Sequence, residues 1–432
     1  MLGLPTRRLP LRTFSTLVST VLLVLNSAHA ADRYHVSVVP DTLGIGVTNP
    51  INFVQFQGEL YFRGQTSAHG AELFKYDGST LRLVADNVPG PRGGNIFDPI
   101  VFQDSLYFTS WNGFSGYELF KFDGSSATMV ADIYPGEIGS APDGMLEYQG
   151  KLLFSALDPS GRSMYSYDGL TLTPIRGASP VENWFNFSGI RFGGRLLVTA
   201  QGDASTGVEL YEYNDDSITL VDDVWPGNGS SEPRSFLELN GKVVFAATYG
   251  VSGDGQFEYG LFDYDGVSVE QVPHDAGLSW SGANWPTEFN NNVYFTADGG
   301  PSVGFELFKY DGNVVTLVAD IASGFQSSNP SDFTVFDGNL FFTASRSDVG
   351  SELFMFDGQT VSLVKDIRTG RQGSMPSFLF EFDGELYFKA NNVLMRVSVI
   401  PEPRSAALGT VLLACIAFSS RRCIKAARFK AY

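Results

Sequence analysis

Carboxylates recur along this 432-residue chain in a fixed rhythm. Glu72, Glu118, Glu209, Glu306 and Glu352 each open an apolar run, and Asp41, Asp86, Asp132, Asp223, Asp320 and Asp366 each close another. Hard oxygen donors suit calcium, yet no stretch matches the D-x-D-x-D-G loop that would cage it. A carboxylate can instead cap a turn by accepting backbone N–H bonds. We prefer that reading, because a residue repeated unit after unit serves the unit. No cofactor is implied, and Ca2+ is the one ion the acidity would suit.

Catalytic constellations are not evident. His35, His69 and His274 are scattered over different repeats, and the chain lacks a G-x-S-x-G elbow, an H-E-x-x-H pair and a P-loop. The expectation is a protein that is not an enzyme. Trp111, Trp184, Trp225, Trp280 and Trp285 do not recur in register. An indole exposed on a loop can stack on a sugar ring, and irregular loops are where function is grafted onto a repeat. Trp280 and Trp285 flank Asn284 in an expected loop, and with Trp225 they are the candidate ligand-contacting residues. Packing beneath a long loop is the alternative. The insertion Tyr249–Tyr259 is the other irregularity.

These residues sit on a repeat. ELFKYDG at 72–78 returns as ELFKFDG at 118–124, ELFKYDG at 306–312 and ELFMFDG at 352–358, with looser copies between. Aligned on Asp77, Asp123, Asp168, Asn214, Asp265, Asp311 and Asp357, the steps are 46, 45, 46, 51, 46 and 46 residues. Such a period marks a propeller, solenoid or array. Each period holds four short runs rich in β-branched and aromatic residues, here named A to D; in the first they are 53–56, 60–62, 73–76 and 81–85. Gln57-Gly58, Asn240-Gly241, Asp337-Gly338 and their equivalents link A to B, and Asp-Gly links C to D. Gly adopts positive φ freely and Asn or Asp tolerate it, so both links are tight hairpins. Four antiparallel strands followed by a longer crossing make a propeller blade. The runs are apolar on both faces, as strands covered by neighbouring blades must be.

Strand A occurs eight times, near Phe53, Pro99, Met145, Gly189, Phe236, Pro286, Phe333 and Leu379, and a degenerate eighth C lies at 393–397. The eighth D is missing from the end and is found at the front, where 36–41 matches 361–366 in pattern. The fold expected for residues 31–400 is therefore an all-β, single eight-bladed propeller whose last blade is closed by the N-terminal strand. Seven blades would require losing the weak fourth repeat, which nonetheless keeps its Gly193-Gly194 turn.

Both ends read as addresses. Arg7, Arg8 and Arg12 precede an apolar run at 14–25, and Ala28-His29-Ala30 offers a cleavage site before Ala31, so residues 1–30 are expected to be a signal peptide. The adjacent arginines also suit a twin-arginine signal, which leaves the export route open. At the other end Pro401-Glu402-Pro403 precedes a short apolar segment, 405–420, and then a basic cluster beginning Arg421-Arg422. This order over residues 401–432 resembles the PEP-CTERM sorting signal of Gram-negative bacteria. The resemblance implies an exosortase-like partner that processes the tail, a transient inner-membrane anchor, and a final place in the envelope, on the surface or in the matrix. A plain C-terminal anchor with its basic side in the cytoplasm is the alternative. Both cysteines, Cys415 and Cys423, lie in this tail, so the body must stand without disulfides.

Nine of the 29 basic residues lie in the two ends and all 47 acidic residues lie in 31–403, so that stretch carries about −27. Nucleic acid, which needs a basic face, is excluded as a partner class. The repeat itself resembles the bacterial surface-protein repeat written ELW-x-x-DG-T, with Phe or Tyr in place of Trp, and that resemblance again implies a propeller. The functional expectation is a non-enzymatic propeller that binds exopolysaccharide or surface proteins. A polysaccharide-acting enzyme with its site at the central funnel, and a purely structural matrix protein, are the alternatives.

Overall fold

The computed structural model describes residues 31–175, 188–201, 205–214, 217–253, 255–273 and 279–401, with the backbone alone over 279–285. Ala30, Glu402, Pro403, Arg421, Arg422, Trp184 and His274 lie outside the described residues. The chain falls into two compact units, Val36–Val397 and a second formed by Met1–His35 with Ser398–Tyr432. Within the second, the Ile400 N–H donates to the Arg33 carbonyl at 2.7 Å. Among the described residues no helix is long and apolar enough to cross a membrane.

The first unit is an eight-bladed propeller. Its eight sheets each hold four strands in antiparallel order. Blade 1 is typical, with Thr48–Phe56, Glu59–Thr66, Gly70–Tyr76 and Leu81–Ala85 as A to D. Neighbouring A strands touch, and the A strand of blade 1 meets Ser377–Phe382, the A strand of blade 8. The ring thus closes with the A strands innermost. In blade 8 the outer strand is Tyr34–Val38, beside Val393–Val399. The adjoining Val39 N–H donates to the Leu394 carbonyl at 2.9 Å. The displaced strand and the degenerate eighth repeat lie where the repeat phase places them. Blade 4 keeps a short A strand, Gly189–Phe192.

The turns explain the register. Both central residues of each A–B turn have positive φ, including the glycine-free pairs Gln103-Asp104 and Asn290-Asn291. In the C–D turn the Asp side chain does the work: Asp77 Oδ1 accepts the N–H groups of Ser79 and Thr80 at 2.9 and 2.7 Å.

Aromatic residues fill the sheets. The Phe of the ELF motif stacks across the B–C pairing, as Phe74 on Phe62 with centroids 6.3 Å apart and Phe120 on Phe108 at 6.1 Å. Facing blades then interlock: Phe56, Tyr61 and Leu73 of blade 1 pack with Phe108, Phe120 and Phe122 of blade 2. The middle residues of strands B and C are mostly buried on both faces. Strands A and D are half-exposed, because A lines the central channel and D the outer rim, so the expectation of uniformly covered strands is corrected for those two.

Candidate functional site

Antiparallel order puts all A–B and C–D turns on one face of the ring and all B–C and D–A connections on the other. The recurring glutamates belong to this second, loop-bearing face. All five are fully buried. Glu306 Oε2 accepts the Ile321 N–H at 2.9 Å, Oε1 accepts the Ser328 N–H at 2.9 Å, and the Ser328 hydroxyl donates to Oε2 at 2.5 Å. Glu118, Glu209 and Glu352 bind Ser140, Ser231 and Ser374 in the same way. Gly94 occupies that position after Glu72, leaving Glu72 Oε2 without a partner. The expectation that these carboxylates cap their own turns is corrected: they anchor the crossing to the next blade, 15 to 22 residues on. Burial pushes the Glu72 and Glu209 carboxyls up to about 7, opposed by these hydrogen bonds. Three aspartates at the ends of strand D are local caps: Asp320 accepts the Gly324 N–H, Asp223 that of Gly227 and Asp41 that of Ile45, each at 3.1 Å. Asp86 instead meets His69 Nδ1 at 2.8 Å. Among the described residues no group of three or more His, Cys, Asp or Glu could hold a metal ion.

A second recurring device sits at the channel mouth. Thr109, Thr199, Thr296 and Thr343 on strand B donate to the carbonyls of Pro142, Pro233, Pro330 and Pro376 in the next crossing. Four blades lack the Thr: Ser155 and Ala246 stand at this position in blades 3 and 5, and a cation stands there in blades 1 and 8. The residue paired with Ile51 is Arg63, and the residue paired with Ser377 is Lys389, where Thr109 pairs with Phe97 and Thr343 with Ser331. A cavity of about 600 Å3 opens beside Lys389 between blades 7 and 8, lined by Asp332, Thr343, Arg368, Met375 and Asn392 among others. Asp332 Oδ1 accepts the Phe378 N–H at 2.8 Å, tying one A strand to the next, and burial raises its pKa.

Two more cavities, of about 330 and 420 Å3, flank Asp98 and Asp143 between blades 2 and 4. Burial, together with the nearby Asp98 carboxyl, raises the Asp143 pKa, and the Arg162 charge opposes this. Asp98 also accepts the Gly144 N–H at 3.3 Å.

The tryptophan candidates fare differently. Trp225 is half-buried, lies edge-on to Phe257 at 6.0 Å and packs on Gly229, where a Cβ would come within 2.5 Å of the indole. It is a packing residue. Trp280, Asn284 and Trp285, expected in a loop, belong instead to the strand Ser279–Phe289. Its pairing with Asn292–Asp298 shifts register twice, and bulges of this kind let an inner strand run long without hairpin-like alternation. The 249–259 insertion lengthens a hairpin, Lys242–Val251 with Phe257–Tyr264. Sequence reading missed Arg63 and Lys389. The available signal was a broken Thr column on strand B, visible only once the blade register is known.

No family model matches the sequence, and no curated protein matches it. Among solved structures, the chain resembles the β-propeller domain of the Trilobed protease from Pyrococcus furiosus at 13% identity and TM-score 0.44, over 74% of this chain and 96% of that one. It resembles BamB from Moraxella catarrhalis at 9% and 0.47, over 84% and 97%. A Mycobacterium tuberculosis puromycin-hydrolyzing peptidase gives 10% and 0.46 over 82% of this chain, which spans 60% of that protein. Likeness at this level carries nothing about activity or partners.

Proposed function

We propose that this protein is an exported, non-enzymatic propeller that binds glycan through its loop-bearing face and is delivered to the envelope or matrix by exosortase-dependent sorting. One observation carries the binding reading: the polar cavity between blades 7 and 8, where a carboxylate, an ammonium and amide groups converge on the channel mouth. Sugar hydroxyls are matched by such convergent donors and acceptors in a concave site. The full-length protein is expected to be retained on immobilised matrix exopolysaccharide well above a control propeller, and Asp332→Asn to lower that retention. Retention equal to the control would overturn the proposal.

An enzyme would need a different arrangement. Glycoside hydrolases hold their two carboxyls about 5 Å apart, or about 6.5–9.5 Å apart to admit a water. Of the half-buried pair Asp98 and Asp143, Asp98 is already engaged by the Gly144 N–H at 3.3 Å, a bond from blade 3 to blade 2. The pair suits joining blade 2 to blade 3 rather than flanking a glycosidic bond.

A further inference from the structure

The two cations that replace the repeat's Thr share an amide partner from the next crossing, and each lies over an aromatic ring, of the next blade for Arg63 and of its own blade for Lys389. Arg63 donates to Asn95 Oδ1 at 2.8 Å and lies 5.6 Å above the Phe97 ring. Lys389 donates to Asn49 Oδ1 at 3.3 Å and lies 5.3 Å above the Phe378 ring. Asn49 and Asn95 are one repeat apart and both hold φ of 50°, so the crossing presents each amide in the same way. Phe97 and Phe378 are exposed at 39% and 38%, leaving ring surface free beside each cation. The two units occupy successive gaps of the ring, between blades 8 and 1 and between blades 1 and 2.

Their charge is poorly compensated. Neither cation makes an ion pair with a carboxylate among the described residues; each has a neutral amide as its hydrogen-bond partner. The Arg63 Nε is buried without a hydrogen-bond partner. Burial lowers the Lys389 pKa, the Asp332 charge opposes this, and Arg63 is close enough to lower it further. A half-buried cation whose hydrogen-bond partner is a neutral amide costs free energy unless an anion joins it. In a body carrying about −27, such a local excess of positive charge is out of keeping with the remaining surface.

We propose that Lys389 and Arg63, in successive gaps of the ring, are anion subsites at the channel mouth that each take the carboxylate of an acidic sugar, a uronic-acid unit. The proposal rests on the glycan-binding reading of this face and names the class of glycan. Phe97 and Phe378 offer apolar faces to sugar C–H groups, and the cavity containing Asp332 and Asn392 beside Lys389 receives the adjoining sugar. Charge-assisted hydrogen bonds from Lys and Arg to carboxylate are roughly twice as strong as neutral ones, which favours acidic over neutral chains.

Titration calorimetry of the full-length protein with a galacturonate trisaccharide and a neutral galactose trisaccharide tests this. The comparison variant is the double substitution Arg63→Thr, Lys389→Thr, which installs the residue that four other blades carry at this position; an unchanged unfolding temperature confirms its fold. The wild type is expected to bind the acidic trisaccharide at least about tenfold more tightly than the neutral one, with an affinity that falls as salt rises. The double variant is expected to lose that preference. Equal binding of the acidic trisaccharide by wild type and variant would overturn the subsites, as would equal wild-type binding of the two sugars, and in either case the broader glycan reading survives. Binding of neither sugar also overturns the subsites, and retention on exopolysaccharide then decides the broader reading independently.

Discussion

At the residue scale, the buried glutamates set how stability responds to pH. Glu72 and Glu209 titrate at about 7 in the folded protein, above the ordinary 4.5, because burial disfavours the carboxylate. Glu118, Glu306 and Glu352 are raised for the same reason. Between about pH 4.5 and 7 the folded state therefore binds more protons than the unfolded chain, and stability falls as pH rises through that window. The turn aspartates act in the opposite sense at lower pH: Asp123 is lowered to about 2 by hydrogen bonds from Ser125 and Ser126, so its contribution is lost only in acid. Urea midpoints are expected to decrease from pH 5 to pH 8, and Glu209→Gln to flatten part of that slope. A slope unchanged by Glu209→Gln would show that this carboxyl does not titrate in the window.

At the element scale, the blade crossing depends on paired glycines 23 residues apart. Gly70 lies against Gly93, Gly116 against Gly139 and Gly350 against Gly373, each with positive φ. The start of strand C and the following crossing thus touch backbone to backbone, which brings the glutamate on strand C within reach of the loop it anchors. A Cβ on Gly93 would lie 2.3 Å from the Ala71 nitrogen, whereas one on Gly90 would meet open space. Gly93→Ala is expected to cost about 2–4 kcal/mol by overpacking and strain, and Gly90→Ala about 1 kcal/mol from its positive φ alone. Chemical denaturation of the two variants checks the contrast, and equal costs would refute the close-contact explanation.

At the scale of the whole molecule, ring closure and address matter most. The outer strand of blade 8 comes from the front of the chain, so the last sheet has no unpaired edge facing a neighbour. The address is tested by replacing Pro401, Glu402 and Pro403 with Ala. If an exosortase-like enzyme reads that motif, the variant is expected to stay in the inner-membrane fraction at its unprocessed mass, while the wild type leaves it. Identical fractionation of the two would remove the sorting proposal.

The number of blades, the A–B and C–D turns and the front-to-back closure were legible in the sequence, because a period of about 46 residues and positive-φ turn residues are local signals. The role of the glutamates was legible only in part: their recurrence showed that they serve the blade, but their partners lie up to 22 residues away across a crossing. The segment around Trp280 and Trp285 misled, because bulged strands lack the alternation by which strands are recognised. The placement of Arg63 and Lys389 in successive gaps of the ring was not legible at all. Those residues stand 326 positions apart in the sequence and come to successive gaps only because the ring closes blade 8 against blade 1. Sequence alone determined the repeating unit, whose geometry is written in local turns and strand patterns. Tertiary structure decided that the two cationic departures from that unit fall in successive gaps, since position around a closed ring is a property of the whole chain.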